Sequence, residues 1–298
     1  MDGAAALDAL FQEAVALVDA GDVPGIDRLL AEHPALAGER LTAPGRWLRE
    51  QVAAALDGFF RAPYLLWFVA EDPVRQGRLP PNIAEVAGAI IAAAARIPGL
   101  DLRPQLDHAL LLVGWSGVAH RAGVQIALLD VLLDAGASPE GVPNNALVNG
   151  HFAAARRLIE RGAPLTLASA MCLDLWQEAD ALAQHADPGH KQFALVLAAL
   201  HGRAAAVSRL LAMGADPCAR CPDLYSHGTP LHHAVWSGSL ESVTVLVEAG
   251  AVLDAEDTAY HGTPLGWALH AQGAGRAGAY TAIAAYLRER SSSGPPGR

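Results

Sequence analysis

Residues 228–250 read GTPLHHAVWSGSLESVTVLVEAG, and this stretch decides the fold. Thr229 is a helix-capping residue, and Pro230 follows at the first helical position, where its missing N–H does no harm. The spacing predicts a first helix over TPLHHAVWS, closed by a tight turn at Gly238. A second helix, SLESVTVLVEA, sets Val243, Leu246 and Val247 on one face. Gly250 ends that helix, and Asp254 to Tyr260 form a projecting turn. Neither helix can bury its apolar stripe alone, so neighbouring units of this kind must stack.

The unit recurs. GTPL appears again at Gly262–Leu265, 34 residues after its first occurrence. A Gly-Ala pair closes an apolar run at Gly136-Ala137, Gly162-Ala163, Gly214-Ala215 and Gly250-Ala251. Gly150, Gly202 and Gly238 each precede one of these closing glycines by 12 residues, which marks a shared internal turn.

The segment GTPLHHAVWSGSLESVTVLVEAGAVLDAED resembles a nearly complete ankyrin repeat, with the T-P-L-H-x-A start, the internal Gly, the apolar second helix and the Gly-Ala exit. GTPLGWALH resembles the start of another. Gly266 there occupies the His position and cannot make the turn-to-turn hydrogen bond that the His ring of this family makes. The whole chain resembles bacterial ankyrin-repeat proteins that open with an irregular helical segment, which implies a scaffold but no substrate. The expected fold is therefore all-α, an ankyrin-repeat α-solenoid of about eight stacked helix pairs, continuous over 1–290.

Within it, 189–290 holds the best-matching repeats and 99–188 degenerate ones. Residues 165–186 read as a unit without a glycine turn. Residues 1–40 are a first helix pair and cap, whose helix 7–19 carries Asp8, Glu13 and Asp19 as a polar face. Residues 41–98 form a diverged, elongated repeat with helical LREQVAAALDGFF, APYLLWFVAED and IAEVAGAIIAAAARI. A last helix over 279–290 ends in RER, and SSSGPPGR, 291–298, is a disordered tail by composition.

Composition narrows the function. Aromatics are 6% of the 298 residues, too few for a β-sandwich core, while Ala is abundant. The formal net charge of −10 repels phosphates, so neither nucleic acid nor an anionic membrane is the expected partner. Cys172, Cys218 and Cys221 do not form a disulfide framework. The first residues are acidic where a signal peptide is basic. The apolar run 83–95 is too short to span a bilayer and contains Glu85. A soluble, cytoplasmic chain is expected.

Chemistry-bearing motifs are few. Cys218 and Cys221 stand at zinc-finger spacing, and His227 is the natural third ligand, since His232 belongs to the TPLH turn. A zinc- or redox-responsive module at Cys218/Cys221 is thus one alternative function, although its fourth ligand is undefined and no metal or cofactor is expected. No G-x-G-x-x-G stands between a strand and a helix, and no Walker A, G-x-S-x-G or H-E-x-x-H sequence occurs. Asp254 and Asp257 lie in the projecting turn, where Asp bonds local backbone N–H groups. No enzyme is expected. Arg156, Arg157 and Arg161, near Arg121, read as a solvated face. Trp67, Trp115 and Trp176 read as core.

The binding reading is carried by the variable positions. In stacked repeats, projecting turns and first helices line a concave face. His233, Trp236 and Ser237 belong there, with Trp267 and His270 in the next repeat. Glu256, Tyr260 and His261 come from the intervening turn, and Tyr225 from the turn before. Rigid aromatic rings in adjacent variable positions suit a contact cluster. The expected function is a non-enzymatic, monomeric scaffold for a protein partner that the sequence does not identify. A structural, self-associating repeat protein is the other alternative.

Overall fold

A computed structural model describes residues 3–292. Among these residues every regular element is a helix, with no strand and one isolated antiparallel bridge, Arg40 to Tyr64. It divides into two compact units, one running to Pro164 and the other from Leu165.

The first unit is two rows of helices. Its second helices form one row, Val23–Glu32, Ile83–Ala94, Gln125–Asp134 and Phe152–Glu160, each packed on the next. Its first helices form the other, Gly3–Ala20, Leu65–Ala70, Arg103–Trp115 and Val142–Val148. The second member of this row is a six-residue 3₁₀ helix, LLWFVA, where a longer helical stretch was expected. All six of its side chains are buried, so it fills the place of a first helix without having a solvent face. Glu71 in left-handed conformation (φ 50) ends it. The expected helix 48–60 is shorter, Arg46–Leu56, and stands outside both rows; Phe60 turns inward and Phe59 is 41% exposed.

The acids of the first helix anchor this irregular segment. Asp8 accepts from the Gly45 N–H at 2.7 Å and from Trp47 Nε1 at 2.8 Å. Asp19 accepts from both terminal nitrogens of Arg75, at 3.0 and 2.6 Å. Arg75 also lies 2.8 Å from Glu71, and these two side chains are 3% and 0% exposed. Glu71 Oε1 accepts from the N–H groups of Arg75, Gln76 and Gly77, which ties down the loop that follows. Asp8 and Asp19, expected as a polar outer cap, thus act as internal anchors.

The second unit repeats the same two-helix pattern four times. The first helices Leu167–Cys172, Pro188–Leu200, Pro230–Ser237 and Pro264–Gly273 pack in sequence. Behind them lie Trp176–Ala183, Ala204–Ala212, Leu240–Glu248 and Tyr280–Ser292, the last three packed in sequence. Side-chain caps start many of these helices. Asp187 accepts from His190 N–H, Ser239 from Ser242 N–H and Thr263 from Gly266 N–H.

The closing glycines share one geometry. Gly136, Gly162, Gly214 and Gly250 have φ of 99°, 96°, 87° and 91°. In each the Gly N–H and the following Ala N–H return to carbonyls of the helix just ended, at 3.0 Å. Residues 165–186 do have the internal turn that no glycine marked: Asp174 adopts φ 61 in its place. The last helix runs to Ser292, because the hydroxyls of Ser291 and Ser292 bond back to Leu287 and Arg288 carbonyls. Those two residues, placed by composition in a disordered tail, are therefore helical; the remainder of that tail, 293–298, lies outside the described residues.

Trp67 is buried as expected, but Trp115 and Trp176 are each only half-buried. Trp115 meets the exposed Phe59 edge-on at 6.2 Å, and Arg209 lies over Trp176 at 4.9 Å. In the expected basic patch, Arg157 pairs with Asp130 and Glu160, and Arg161 with Asp130 and Asp134. The acids of the preceding second helix neutralise these charges.

Candidate functional site

The site is built on the projecting turns of the second unit. Asp257 sits at the base of the turn that follows Gly250 and is 1% exposed. Its carboxylate accepts from the N–H groups of Ala259 at 2.8 Å, Tyr260 at 2.6 Å and Gly262 at 2.9 Å. A fourth donor is Trp267 Nε1 at 2.9 Å. Burial alone pushes this carboxyl up, but the hydrogen bond from Trp267 and those from Tyr260, Gly262 and Ala259 outweigh it and hold the group below the usual carboxylate range. The turn is thereby closed on itself, with His261 at its tip in left-handed conformation, φ 55. The reading of Asp257 as a local backbone acceptor matches this geometry.

His232, the TPLH histidine, is completely buried. Its Nδ1 accepts from Thr229 N–H at 3.2 Å, and its Nε2 reaches Gly262 O at 3.0 Å. One ring thus joins the start of its own helix to the next turn. Burial lowers its pKa, against the Gly262 bond and Asp257, which raise it. Thr258 N–H donates to His227 O at 2.9 Å, and Arg220 donates to Glu256 O at 2.5 Å, so successive turns are linked. Gly266 offers no ring in the last repeat.

On this frame the aromatic side chains form a continuous line. Trp236 meets Trp267 edge-on at 5.9 Å. Trp267 lies 5.7 Å from His227, which lies 6.4 Å from Tyr260 and 6.3 Å from Tyr225. Pairs of this geometry add about 0.5–1.5 kcal/mol each beyond the area they bury. The line remains open to solvent. Tyr260 is 79% and Tyr225 47% exposed, and His227, Trp236 and Trp267 are half-buried.

The other expected contact residues fall in distinct places. His233 is drawn inward, 2% exposed, with Nε2 3.2 Å from Tyr225 O. It supports the line from below instead of facing outward. Burial pushes its pKa down to about 4, helped by nearby His227. The Ser237 hydroxyl donates to Ala234 O at 2.7 Å and accepts from Ser239 N–H at 3.2 Å, so it serves the helix turn. Glu256 and His261 are exposed and lie 3.6 Å apart at the turn. His270 is exposed on the last first helix.

The candidate zinc ligands do not assemble. Among the described residues, no group of three or more His, Cys, Asp or Glu side chains is placed to hold a metal ion. Cys221 is buried, and burial pushes its thiol pKa up, which disfavours a thiolate ligand. Cys218 lies 3.5 Å from Gly250 O. Its Sγ therefore meets a backbone carbonyl of the next repeat.

The sequence reading missed Arg276. Its guanidinium carbon lies 3.8 Å from the centre of the Trp236 ring, at the end of the aromatic line. It comes from the connection after the helix Pro264–Gly273, where Gly273, Gly275 and Gly278 have the spacing of a dinucleotide loop but join two helices. A close approach explains one of them: a Cβ on Gly278 would stand 2.9 Å from the Gly238 Cα. The only sequence signal for Arg276 was a lone cation among glycines.

Residues 145–257 match the family model described as ankyrin repeats (3 copies). No curated protein matches the chain. Among solved structures, the chain is similar to the crystal structure of the human ASB11 ankyrin repeat domain, at 22% identity and a TM-score of 0.36, covering 78% of this chain and 99% of that one. No helix among the described residues is long and apolar enough to cross a membrane. Ankyrin repeats are thus present in this chain, within residues 145–257.

Proposed function

We propose that the chain is a non-enzymatic, monomeric, cytoplasmic scaffold that binds a protein partner on the concave face of its C-terminal repeats. Ankyrin repeats are generally protein–protein interaction modules. In this reading Tyr225, Trp236, Tyr260, His261, Trp267 and His270 contact the partner, Glu256 lies at the rim, and His233 and Ser237 hold the frame. One observation carries it: the Trp267 ring is held by the buried Asp257 carboxylate yet left half open to solvent, beside the 79% exposed Tyr260. Contact area that is already ordered loses little entropy on binding, which is the property of a recognition hot spot. Three free cysteines, two of them buried, support a reducing compartment.

The test is affinity capture from native cytosol with the full chain and with Trp236→Ala/Tyr260→Ala, read by mass spectrometry. Partners held only by the wild type would support the face. Tyr260→Ala alone should melt at the wild-type temperature, since the ring is exposed. Equal capture by all three proteins would overturn the placement.

A further inference from the structure

The aromatic line ends on a positive charge that is fixed in place but, among the described residues, without an ion-pair partner. Arg276 is exposed. Its guanidinium carbon lies over Trp236 at 3.8 Å from the ring centre, and its Nε reaches the Tyr280 hydroxyl at 3.4 Å. That hydroxyl is itself fixed, because it donates to Trp236 O at 2.9 Å and the Tyr280 side chain is buried. Stacking and one hydrogen bond thus order a side chain that would otherwise sample many rotamers. Among the described residues no carboxylate lies within ion-pair distance of Arg276 and no acceptor meets its terminal nitrogens. Two arginines earlier in the second unit differ: Arg203 already meets Asp174, and Arg209 meets Asp180. The two acids nearest the tip of the turn are also engaged, Asp257 by its four donors and Glu256 with His261.

A planar guanidinium with its outer edge free accepts a carboxylate through two parallel hydrogen bonds. We propose that the line binds an extended acidic segment of a partner protein, with an Asp or Glu carboxylate on Arg276 and neighbouring apolar side chains along the Trp236, Trp267 and Tyr260 rings. This rests on the binding face proposed above and specifies the chemistry of its partner. Every step along the line, from Arg276 through Trp236, Trp267 and His227 to Tyr260, is 6.4 Å or less. At ~3.3 Å per residue, at most about seven residues of extended chain cover it.

The experiment is selection of random heptapeptides on the immobilised full chain, followed by fluorescence anisotropy of the enriched peptides. Variants are Arg276→Gln, Arg276→Lys and Tyr260→Ala, all at exposed positions. The expected peptides carry Asp or Glu beside an aromatic or large aliphatic residue. Arg276→Gln should weaken them roughly tenfold and remove most of the salt dependence. Arg276→Lys, which keeps the charge but not the fork, should restore only part of the affinity. Apolar peptides lacking acids, lost in Tyr260→Ala but bound equally by Arg276→Gln, would overturn this inference and leave the binding face standing. A selection yielding no peptide sensitive to either residue would overturn both.

Discussion

The Trp267 indole N–H donates to Asp257 Oδ2 at 2.9 Å, fixing the projecting turn to the first helix of its own repeat. Through Trp267 the same bond sets the ring that faces Trp236 and His227. A single buried carboxylate thus shapes both the turn and the surface it presents.

Asp257→Ala should therefore loosen the whole turn. It leaves three backbone donors and one indole donor without their acceptor, and a change of this kind costs about 2–4 kcal/mol. Trp267→Phe keeps the ring and removes one donor, with a cost of about 1 kcal/mol. Urea titration of the two variants should separate them in that order. The acid behaviour has a definite direction. The folded carboxyl titrates below its unfolded value, so its contribution is present above about pH 4 and is lost as pH falls further.

Histidine burial adds a second pH dependence at higher pH. His233 titrates at about 4 when folded, against an ordinary value near 6.5, because burial disfavours its charged form. The unfolded chain therefore takes up the proton first. Stability is unaffected above pH 6.5 and declines as pH falls from there to about 4, by on the order of 3 kcal/mol for this group. His151 and His232 shift in the same direction, also through burial first. His233→Gln keeps a donor for the Tyr225 carbonyl without titrating. Its melting temperature should fall less between pH 7 and pH 4.5 than that of the wild type; parallel curves would refute the assignment.

The internal-turn glycine and the closing glycine of the repeat are not equivalent. A Cβ on Gly250 would meet open space, so Gly250→Ala carries only the left-handed backbone penalty, about 1 kcal/mol at φ 91. A Cβ on Gly238, at φ 74, would also stand 2.8 Å from the Gly278 backbone and 3.3 Å from the Tyr280 ring. Gly238→Ala should cost at least about 1–3 kcal/mol more. Thermal denaturation of both variants gives the comparison, and equal losses would contradict it.

In the first unit the buried group formed by Asp19, Glu71 and Arg75 should be intolerant of partial removal. Arg75→Met leaves the fully buried Glu71 carboxylate without its cation, and loss of one partner of a buried pair costs about 3–5 kcal/mol. Arg46→Met breaks an exposed pair with Glu50 and should change stability by less than about 1 kcal/mol. Chemical denaturation distinguishes the two.

Much of this protein was legible from residues 228–250 and their echoes. Helix ends, internal turns and exits are set by local backbone energetics, so Thr229, Pro230, Gly238 and Gly250 announced them directly. The helical fold class followed, because amphipathic pairs of that length must stack. What the sequence left open needed neighbours in space. Asp174 makes a left-handed turn without glycine, and LLWFVA, buried on every side, replaces a whole first helix with a short 3₁₀ segment. His233 and His232 are adjacent in sequence and alike in chemistry, yet only packing decides that both rings turn inward. Arg276 lies 40 residues from Trp236, and their contact depends on how the connection after Gly273 closes against Gly238. Local propensity is written in a few residues each, whereas which side chain meets which across repeats depends on the stack as a whole.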